Sequence, residues 1–498
     1  MTRLCVSLTE KTAARMIESM RTLPDHVDTV EVRLDFLSPD QQASPGALES
    51  ICEARDREII VTNRPRREQG HFEGSERQRL DSLRRAARLG ADFIDVELDS
   101  SSRLGSLPGS ARRIVSYHNF ERTPEDLDSI HARARGAGAD VVKIATRALD
   151  ITDSLPLFRL LEKHSGTTDT IALAMDEEGL CTRVLARKFG GFLSFASLGA
   201  EKGSAAGQVP YRQMEEIYRF SRIGPETTVF GVVANPVAHS MSPPIHNAAF
   251  AEAGMDAVYL PLKVTDPLSF LEGFEPHDLR GLSVTIPHKE AMVPLMDELD
   301  ELTRRIGALN TVDIRGGRRR GSNTDVAAAL AALRSAAERA DLLPLDERKV
   351  LLVGAGGAGR ALAYGLAEEV RELTIANRTV SRAERLSAEV GADSCGLDQM
   401  EERRPDILIN TTSVGMHPNV EDIPVPPSIL REGLVVFDAV YNPIETRLLR
   451  EAKEAGCVTA SGFEWFVAQA AAQFETWTDL PAPREVMAHL VRRELEKK

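Results

Sequence analysis

Residues 140–147 read DVVKIATR. The run VVKIA has the apolar, β-branched make-up of a strand buried on both faces, yet Lys143 stands at its centre. A buried ammonium is costly unless it is paired or gives up its proton, so the lysine needs a chemical reason to be there. Seven further runs share the rhythm: LCVSL (4–8), VEVRLDFL (30–37), IIVTNR (59–64), FIDVEL (93–98), RIVSYHN (113–119), TIALAMD (170–176) and FLSFASLG (192–199). Between them lie amphipathic segments such as SERQRLDSLRRAARLG (75–90), closed by Gly90 in the manner of a helix C-terminus. Eight strand–helix units in the first 200 residues predict an α/β fold, a (β/α)8 TIM barrel whose site lies at the C-terminal ends of the strands. An open α/β sheet is the alternative.

A chain of 498 residues exceeds one hydrophobic core and implies two to four domains. With 42% hydrophobic and 27% charged residues the composition is that of a globular protein. The formal net charge of −14 argues against nucleic acid or an anionic membrane surface as partner. The cationic run at 318–320, RRR between glycines, is read as a solvated turn. Five scattered cysteines with no CxxC pair indicate neither a disulfide framework nor a zinc site, so no metal is expected and a reducing cytoplasm fits. The beginning MTRLCVSLTEKT lacks an apolar signal region, and the apolar stretch 350–370 is broken by Arg360 and glycines.

In the first half, polar residues recur on the predicted strands. Glu31, Arg33 and Asp35 alternate along one strand and share a face, as do Asp95 and Glu97 on another. Arg64 ends the third run, Glu68 follows it, and His118 ends the fifth. A lone strand histidine is usually structural, but so many convergent charges in a barrel are harder to dismiss. Desolvation and nearby cations would both favour a neutral Lys143 amine, which could attack a carbonyl and form a Schiff base. The imine is an electron sink, and a neighbouring histidine could take the acidified proton and protonate a departing hydroxyl. That chemistry describes a dehydratase, with a class I aldolase as its competitor.

The motifs EVRLD, TNRPRREQG, VSYHNF, VVKIA, AMDEEGLCTRVL and GSAAGQ, in this order, resemble type I 3-dehydroquinate dehydratase over nearly all of residues 1–220. The resemblance implies that Lys143 forms the imine, that His118 is the general acid–base and that Glu68 orients it. It also implies that Arg183 clamps the substrate carboxylate, with Glu31, Arg33, Arg64, Ser204 and Gln208 on the hydroxyls and Ser7 within reach. The segment EKGSAAGQ (201–208) suits a lid that excludes water.

The segment 211–223 reads as a last amphipathic helix, GPETT (224–228) as a linker, and VFGVVA from 229 as a new strand. Further on, VLLVGAGGAGRALA (350–363) reads as strand, Gly354-x-Gly356-x-x-Gly359 turn and helix, a loop for a dinucleotide pyrophosphate. NAD enzymes usually carry Asp or Glu about twenty residues later for the ribose 2′-hydroxyl. Here Asn377, Arg378, Thr379, Ser381 and Arg382 offer donors and positive charge instead, which favours the 2′-phosphate of NADP.

NPVAHSMSPPIHN (235–247), LSVTIPHK (282–289), GALNTV (307–312), SNTD (322–325), INTTSVGMHP (409–418), VFDAVYNP (436–443) and SGFEWFVAQAA (461–471) resemble shikimate dehydrogenase from about 229 to 485. Ser240 and Ser242 offer hydroxyls to a carboxylate. Lys289 is the expected proton donor to the ketone oxygen, held and tuned by Asp325. By the same resemblance Thr285, Asn310, Tyr441 and Gln469 complete the substrate pocket. The cofactor loop comprises Gly354, Ala355, Gly356, Gly357, Ala358 and Gly359, and Gly462 lies near the nicotinamide. The expected units are a barrel at 1–223, a substrate-binding domain at 229–327, a Rossmann NADP domain at 328–460 and C-terminal helices at 461–498 that return to the substrate domain. Ala234, Ser283 and Val326 depart from the family pattern, where glycine, asparagine and glycine are usual.

The two resemblances are mutually supporting: the first half would convert 3-dehydroquinate to 3-dehydroshikimate, and the second would reduce that product to shikimate. The rivals are a catabolic quinate/shikimate dehydrogenase in the second half, marked by NAD preference, and a metabolite-binding regulator built from dead enzyme domains.

Overall fold

The computed structural model describes every residue except Met1, Ala200, Lys202, His239, Lys497 and Lys498, with the side chains of Pro45 and Glu496 also left aside. The chain divides into two compact units, Met1–Val229 with Asn235–Ser240 and Asp256–Leu279, and Phe230–Ala234 with Met241–Met255 and Arg280–Lys498.

The first unit is built on β1 (Arg3–Leu8), β2 (Thr29–Arg33), β3 (Glu58–Thr62), β4 (Phe93–Glu97), β5 (Arg112–Asn119), β6 (Val141–Arg147), β7 (Asp169–Met175) and β8 (Leu193–Ser197). They form one eight-stranded sheet in the order β7-β6-β5-β4-β3-β2-β1-β8 with parallel neighbours. At the β7–β8 seam the Phe192 amide donates to the Thr170 carbonyl at 2.8 Å, so the barrel closes there by a point contact rather than a ladder. Cys5, Ile60, Phe93, Ile114, Val141 and Phe195 pack together as one apolar cluster within this unit.

Strand ends and helices follow local chemistry. Ser75 caps the helix Glu76–Arg88 through a reciprocal capping box with Gln78, and Gly90 follows at φ 86°, a left-handed turn that favours glycine. Two expectations for the first unit need correction. β2 ends at Arg33, and Asp35 lies in a 3-10 turn, Leu34–Phe36, so it does not continue the strand face of Glu31 and Arg33. The turn brings the Asp35 carboxylate back to grip Arg33 with two hydrogen bonds of 2.9 and 2.8 Å. The last amphipathic helix is shorter than 211–223: it spans Tyr211–Glu216, and a 3-10 turn covers Phe220–Arg222 after Arg219 takes a left-handed φ of 52°.

A second sheet contains β9 (Thr228–Ala234), β10 (Ala257–Lys263), β11 (Leu279–Val284), β12 (Glu298–Leu299), β13 (Thr311–Arg315) and β14 (Arg318–Ser322), in the order β10-β9-β11-β13-β14-β12. The arginine run 318–320 is therefore strand, not turn; Gly316 and Gly317, both at positive φ, make the turn. Arg318 and Arg320 still face solvent and share Glu298 at 2.8 and 3.0 Å.

The third sheet is wholly parallel. It comprises β15 (Lys349–Val353), β16 (Glu372–Ala376), β17 (Asp393–Cys395), β18 (Ile407–Asn410), β19 (Val435–Asp438) and β20 (Val458–Ser461), ordered β17-β16-β15-β18-β19-β20. The order reverses beside β15, and the glycine loop leaves the C-terminal end of that strand, where open α/β sheets bind ligands.

Two candidate active sites

At the barrel's C-terminal end, Glu31, Arg33, Arg64, Glu68, His118, Lys143, Arg183, Ser204 and Gln208 line one cavity of about 240 Å³. Lys143 is buried, and its ammonium lies 2.9 Å from Asp95 Oδ2, 3.8 Å from Glu31 Oε1 and 4.2 Å from the centre of the Phe195 ring. The cations expected around it are thus offset by two carboxylates in direct reach. Glu31 also accepts from Ser7 Oγ at 2.7 Å and Thr62 Oγ1 at 2.8 Å. Ser7 sits fully buried beneath Glu31 rather than on the cavity wall.

Arg64 forks between Asp95 at 2.8 Å and Glu97 at 2.6 Å. Burial raises the Asp95 carboxyl, but Arg64 and Lys143 outweigh it and hold the group well below the usual carboxylate range. Burial, reinforced by Arg64 and Lys143, holds His118 well below the ordinary imidazole value, so its ring is neutral at neutral pH. His118 Nδ1 lies 2.8 Å from Glu68 Oε2. An ionised Glu68 only accepts, which puts the ring proton on Nδ1 and leaves the Nε2 lone pair available as a base.

Arg183 is 1% exposed, yet among the described residues no carboxylate pairs with it. Its Nη2 donates to the Ala206 carbonyl at 3.3 Å, its Nε has no partner, and burial pulls it down to about 10. A buried guanidinium in this state has the capacity to receive an anion. The segment 203–208 is tied by Gln208, which donates to Ser204 Oγ at 3.0 Å and accepts from the Ser204 amide at 2.7 Å. Gly207 has φ 74°, and a Cβ there would meet the Asp176 carbonyl at 2.4 Å, so the loop lies tight against the end of β7. Lys202 of the expected lid lies outside the described residues.

Asp95 is the residue whose role the sequence left unread. Its face-sharing with Glu97 was visible, but its meeting with Lys143 depends on barrel closure, because β5 lies between β4 and β6.

In the second unit, Lys289 Nζ donates to Asp325 Oδ2 at 2.6 Å, both side chains being partly buried. Lys289 leaves the turn after β11, and its carbonyl accepts from the Leu309 amide at 2.9 Å. Asp325 stands in the first turn of the helix Thr324–Arg339, where Asn323 caps its amide and Trp465 Nε1 donates to its carbonyl at 2.8 Å. Asn310 is locked by Thr311 and Thr324 at 2.8–3.0 Å. Tyr441 stacks on Phe466 with centroids 4.5 Å apart, and Gln469 donates to the Phe466 carbonyl at 3.0 Å. Thr285 follows β11, its amide bound to the Val233 carbonyl at 3.0 Å, and Ser242 opens the helix Ser242–Glu252. Ser240 falls in the first unit, its amide bound to the Val237 carbonyl at 3.0 Å, and is not placed in this site; His239 lies outside the described residues.

The departures are accommodated locally. Ser283 donates to Gln473 Oε1 at 2.8 Å. Val326 packs where Gly365 has no side chain: a Cβ at 365 would come within 2.4 Å of Val326 Cγ1. Ala234 is buried at the end of β9.

The glycine loop fits a dinucleotide. Gly354 has φ 112°, and a Cβ on Gly359 would strike the Gly354 carbonyl at 2.1 Å, so these two allow the turn and the close helix. A Cβ on Gly356 or Gly357 would meet nothing within 4 Å, so these two keep the space above the helix start open for a pyrophosphate. The helix Gly357–Leu366 has no side-chain cap. Ala355 donates to Asn377 Oδ1 at 3.3 Å, joining that loop to the end of β16. Arg378, Thr379, Ser381 and Arg382 are exposed, and among the described residues neither arginine is paired with a carboxylate. Gly462 is packed against the Ala439 and Val440 carbonyls, 2.4 and 2.5 Å from a hypothetical Cβ.

No helix of the structure is long and apolar enough to cross a membrane, and no group of three or more metal-ligating side chains is found among the described residues.

Residues 4–225 match the family model for type I 3-dehydroquinase. Residues 232–312 match the shikimate dehydrogenase substrate binding domain, 335–423 shikimate/quinate 5-dehydrogenase, and 462–492 the shikimate 5′-dehydrogenase C-terminal domain. A dehydroquinase barrel joined to a Rossmann-type dehydrogenase defines a lyase–oxidoreductase fusion of the shikimate pathway. The chain belongs to the bifunctional 3-dehydroquinate dehydratase/shikimate dehydrogenase family: it is 43% identical over 491 residues to the chloroplastic enzyme of that name from Arabidopsis thaliana, covering 95% of this chain and 81% of the relative. A shikimate dehydrogenase (NADP(+)) of Bacillus cereus is 41% identical over 276 residues, 54% of this chain and 98% of the relative. Among solved structures, a shikimate dehydrogenase in complex with NADP+ matches with a TM-score of 0.51 at 36% identity, covering 55% of this chain and 97% of the other. The Aquifex aeolicus shikimate dehydrogenase matches with a TM-score of 0.50 at 33% identity, covering 54% and 99%. The chain is a 3-dehydroquinate dehydratase of type I and an NADP-dependent shikimate dehydrogenase.

Proposed function

We propose that dehydration runs through a Schiff base on Lys143, with Arg183 as the anchor that admits an anionic substrate. The observation that carries this reading is the pairing pattern: every other buried cation of the cavity has a carboxylate, and Arg183 has none. The carboxylate of 3-dehydroquinate completes that missing pair and places the ketone at Lys143. Lys143 first gives up one proton, its freed amine adds to the carbonyl carbon, and that proton leaves with the ketone oxygen as water, giving an iminium. Asp95 and Glu31, which hold the resting ammonium, stabilise the iminium cation in the same way. His118 Nε2 takes the proton from the adjacent carbon, and the electron pair moves into the iminium. That proton then goes to the departing hydroxyl as the pair returns, and water hydrolyses the imine to release 3-dehydroshikimate. Borohydride added with 3-dehydroquinate should leave a reduced adduct on Lys143; a label mapped elsewhere, or no label, would sink the mechanism.

In the second unit Lys289 delivers a proton to the ketone oxygen of 3-dehydroshikimate, and Asp325 fixes that lysine while binding a ring hydroxyl. Ser242, Thr285, Asn310, Tyr441 and Gln469 surround the substrate. NADPH supplies the hydride when bound. Its pyrophosphate would rest on residues 354–359, and its 2′-phosphate on Arg378, with Asn377, Thr379, Ser381 and Arg382 beside it. Losing one charge-assisted contact to phosphate costs about 1.5–3 kcal/mol, roughly ten- to a hundredfold. Arg378→Ala should therefore weaken NADPH by that factor and leave NADH nearly unchanged; equal losses for both cofactors would show that the phosphate is read elsewhere.

The working units of this reading are 1–223, 229–327, 328–460 and 461–498. The five free cysteines, four of them buried, support a reducing compartment, and we place the chain in the cytoplasm.

A further inference from the structure

Outside the lining of the dehydratase cavity lies a buried arginine. Arg79, on the helix Glu76–Arg88, is fully buried. Its guanidinium binds Glu76 through Nε at 2.9 Å and Nη2 at 2.7 Å, and donates to the Asn63 carbonyl at 3.0 Å. The same Nη2 lies 2.7 Å from Glu97 Oε2, an ion pair in which the geometry falls short of a hydrogen bond. Glu97 holds Arg64, Arg64 holds Asp95, and Asp95 holds Lys143, at 2.6, 2.8 and 2.9 Å. The signs alternate without a break from helix to nucleophile.

We infer that Arg79 is a positioning residue for the dehydration step, acting through Glu97 and Arg64 on the Asp95–Lys143 pair. This rests on the assignment of Lys143 as the Schiff-base lysine. Each member of the chain is held by its neighbours on both sides, so the Arg64 fork stays in place only while Glu97 remains a carboxylate. Burial already pushes the Glu97 carboxyl up, with Arg64 and then Arg79 opposing the rise. The charged groups around Glu97 are Arg64 and Arg67 from β3 and its turn, Glu76 and Arg79 from the helix, and Asp95 from its own strand. Without Arg79 the carboxyl rises further and takes up a proton as pH falls. A neutral Glu97 grips Arg64 weakly, and misplacement of about 1 Å at a reacting group costs on the order of 10²-fold.

The test compares Arg79→Met, Arg79→Lys and Glu97→Gln in the full-length chain, with far-UV circular dichroism and thermal melting of that chain as the measure of folding. Arg79→Met should lower kcat for dehydration about 10- to 100-fold at neutral pH, with KM changed far less, and the loss should deepen as pH is lowered. Arg79→Lys should restore most of kcat and the parental pH profile, since it keeps the charge beside Glu97. Glu97→Gln, fixed in the neutral state, should show the low kcat with no added pH dependence, and it carries the test should Arg79→Met fail to fold. Unchanged kcat in Glu97→Gln, or equal and pH-independent losses in the two Arg79 variants, would overturn the inference. Borohydride trapping separates this from the parent reading: if the native chain forms no Lys143 adduct, the Schiff-base assignment fails, whereas a native adduct with unaltered variant profiles removes only the role of Arg79.

Discussion

Lys143→Ala should lose dehydration of 3-dehydroquinate while still reducing supplied 3-dehydroshikimate at a near-normal rate. Loss of a general acid–base group costs about 10²–10⁴ in rate; removing the atom that forms the covalent intermediate should exceed that, because no imine remains to accept electrons. The variant also leaves Asp95 and Glu31 facing a gap, so the fold of its barrel needs its own check by circular dichroism and thermal melting, while the second activity shows that the dehydrogenase half is intact. With 3-dehydroquinate and NADPH present together, the substrate should persist and no shikimate should form. A Lys143→Ala chain that still dehydrates at more than a few per cent of the native rate would refute the covalent route.

Lys289→Ala should give the opposite pattern. Among the described residues Lys289 is the only cation paired with Asp325, so reduction should fall by about 10²–10⁴, and 3-dehydroshikimate should accumulate from 3-dehydroquinate at an undiminished rate. Asp325→Asn should retain the lysine but loosen its placement, with a smaller loss in kcat. If Lys289→Ala silenced both reactions in a chain that was still folded, the separation of the sites would be wrong.

The barrel was legible because each of its strands is short, apolar and bounded by turn chemistry, and the eight runs all became strands within two or three residues of their expected ends, save the second. There the alternation Glu31, Arg33, Asp35 imitates one strand face, but the backbone turns after Arg33, and the period-two rule has no term for a side chain that bends back onto its neighbour. Residues 318–320 were misread for a related reason. Glycines on either side look like turn signals, yet the antiparallel ladder to β13 outweighs them. Lys143, His118 and Glu68 were named from motifs and line one cavity, and Lys289 and Asp325, named the same way, are paired. Asp95 and Arg79 were given no role, since they meet partners 48 and 18 positions away that only the closed barrel brings together.

The alternating lattice of Arg79, Glu97, Arg64, Asp95 and Lys143 also bears on how much free energy the barrel sacrifices for its chemistry. Replacing a buried ionic group of this kind by well-packed apolar residues is often neutral or stabilising by about 1–4 kcal/mol. A barrel released from turnover could therefore become sturdier by exchanging all five together for well-packed apolar side chains of similar size. A protein that only sensed pathway metabolites would have open to it a thermodynamic gain that this chain forgoes at five interior positions. The interior thus carries the signature of an activity–stability trade-off, written in charges that a pure binding scaffold would have no physical reason to keep.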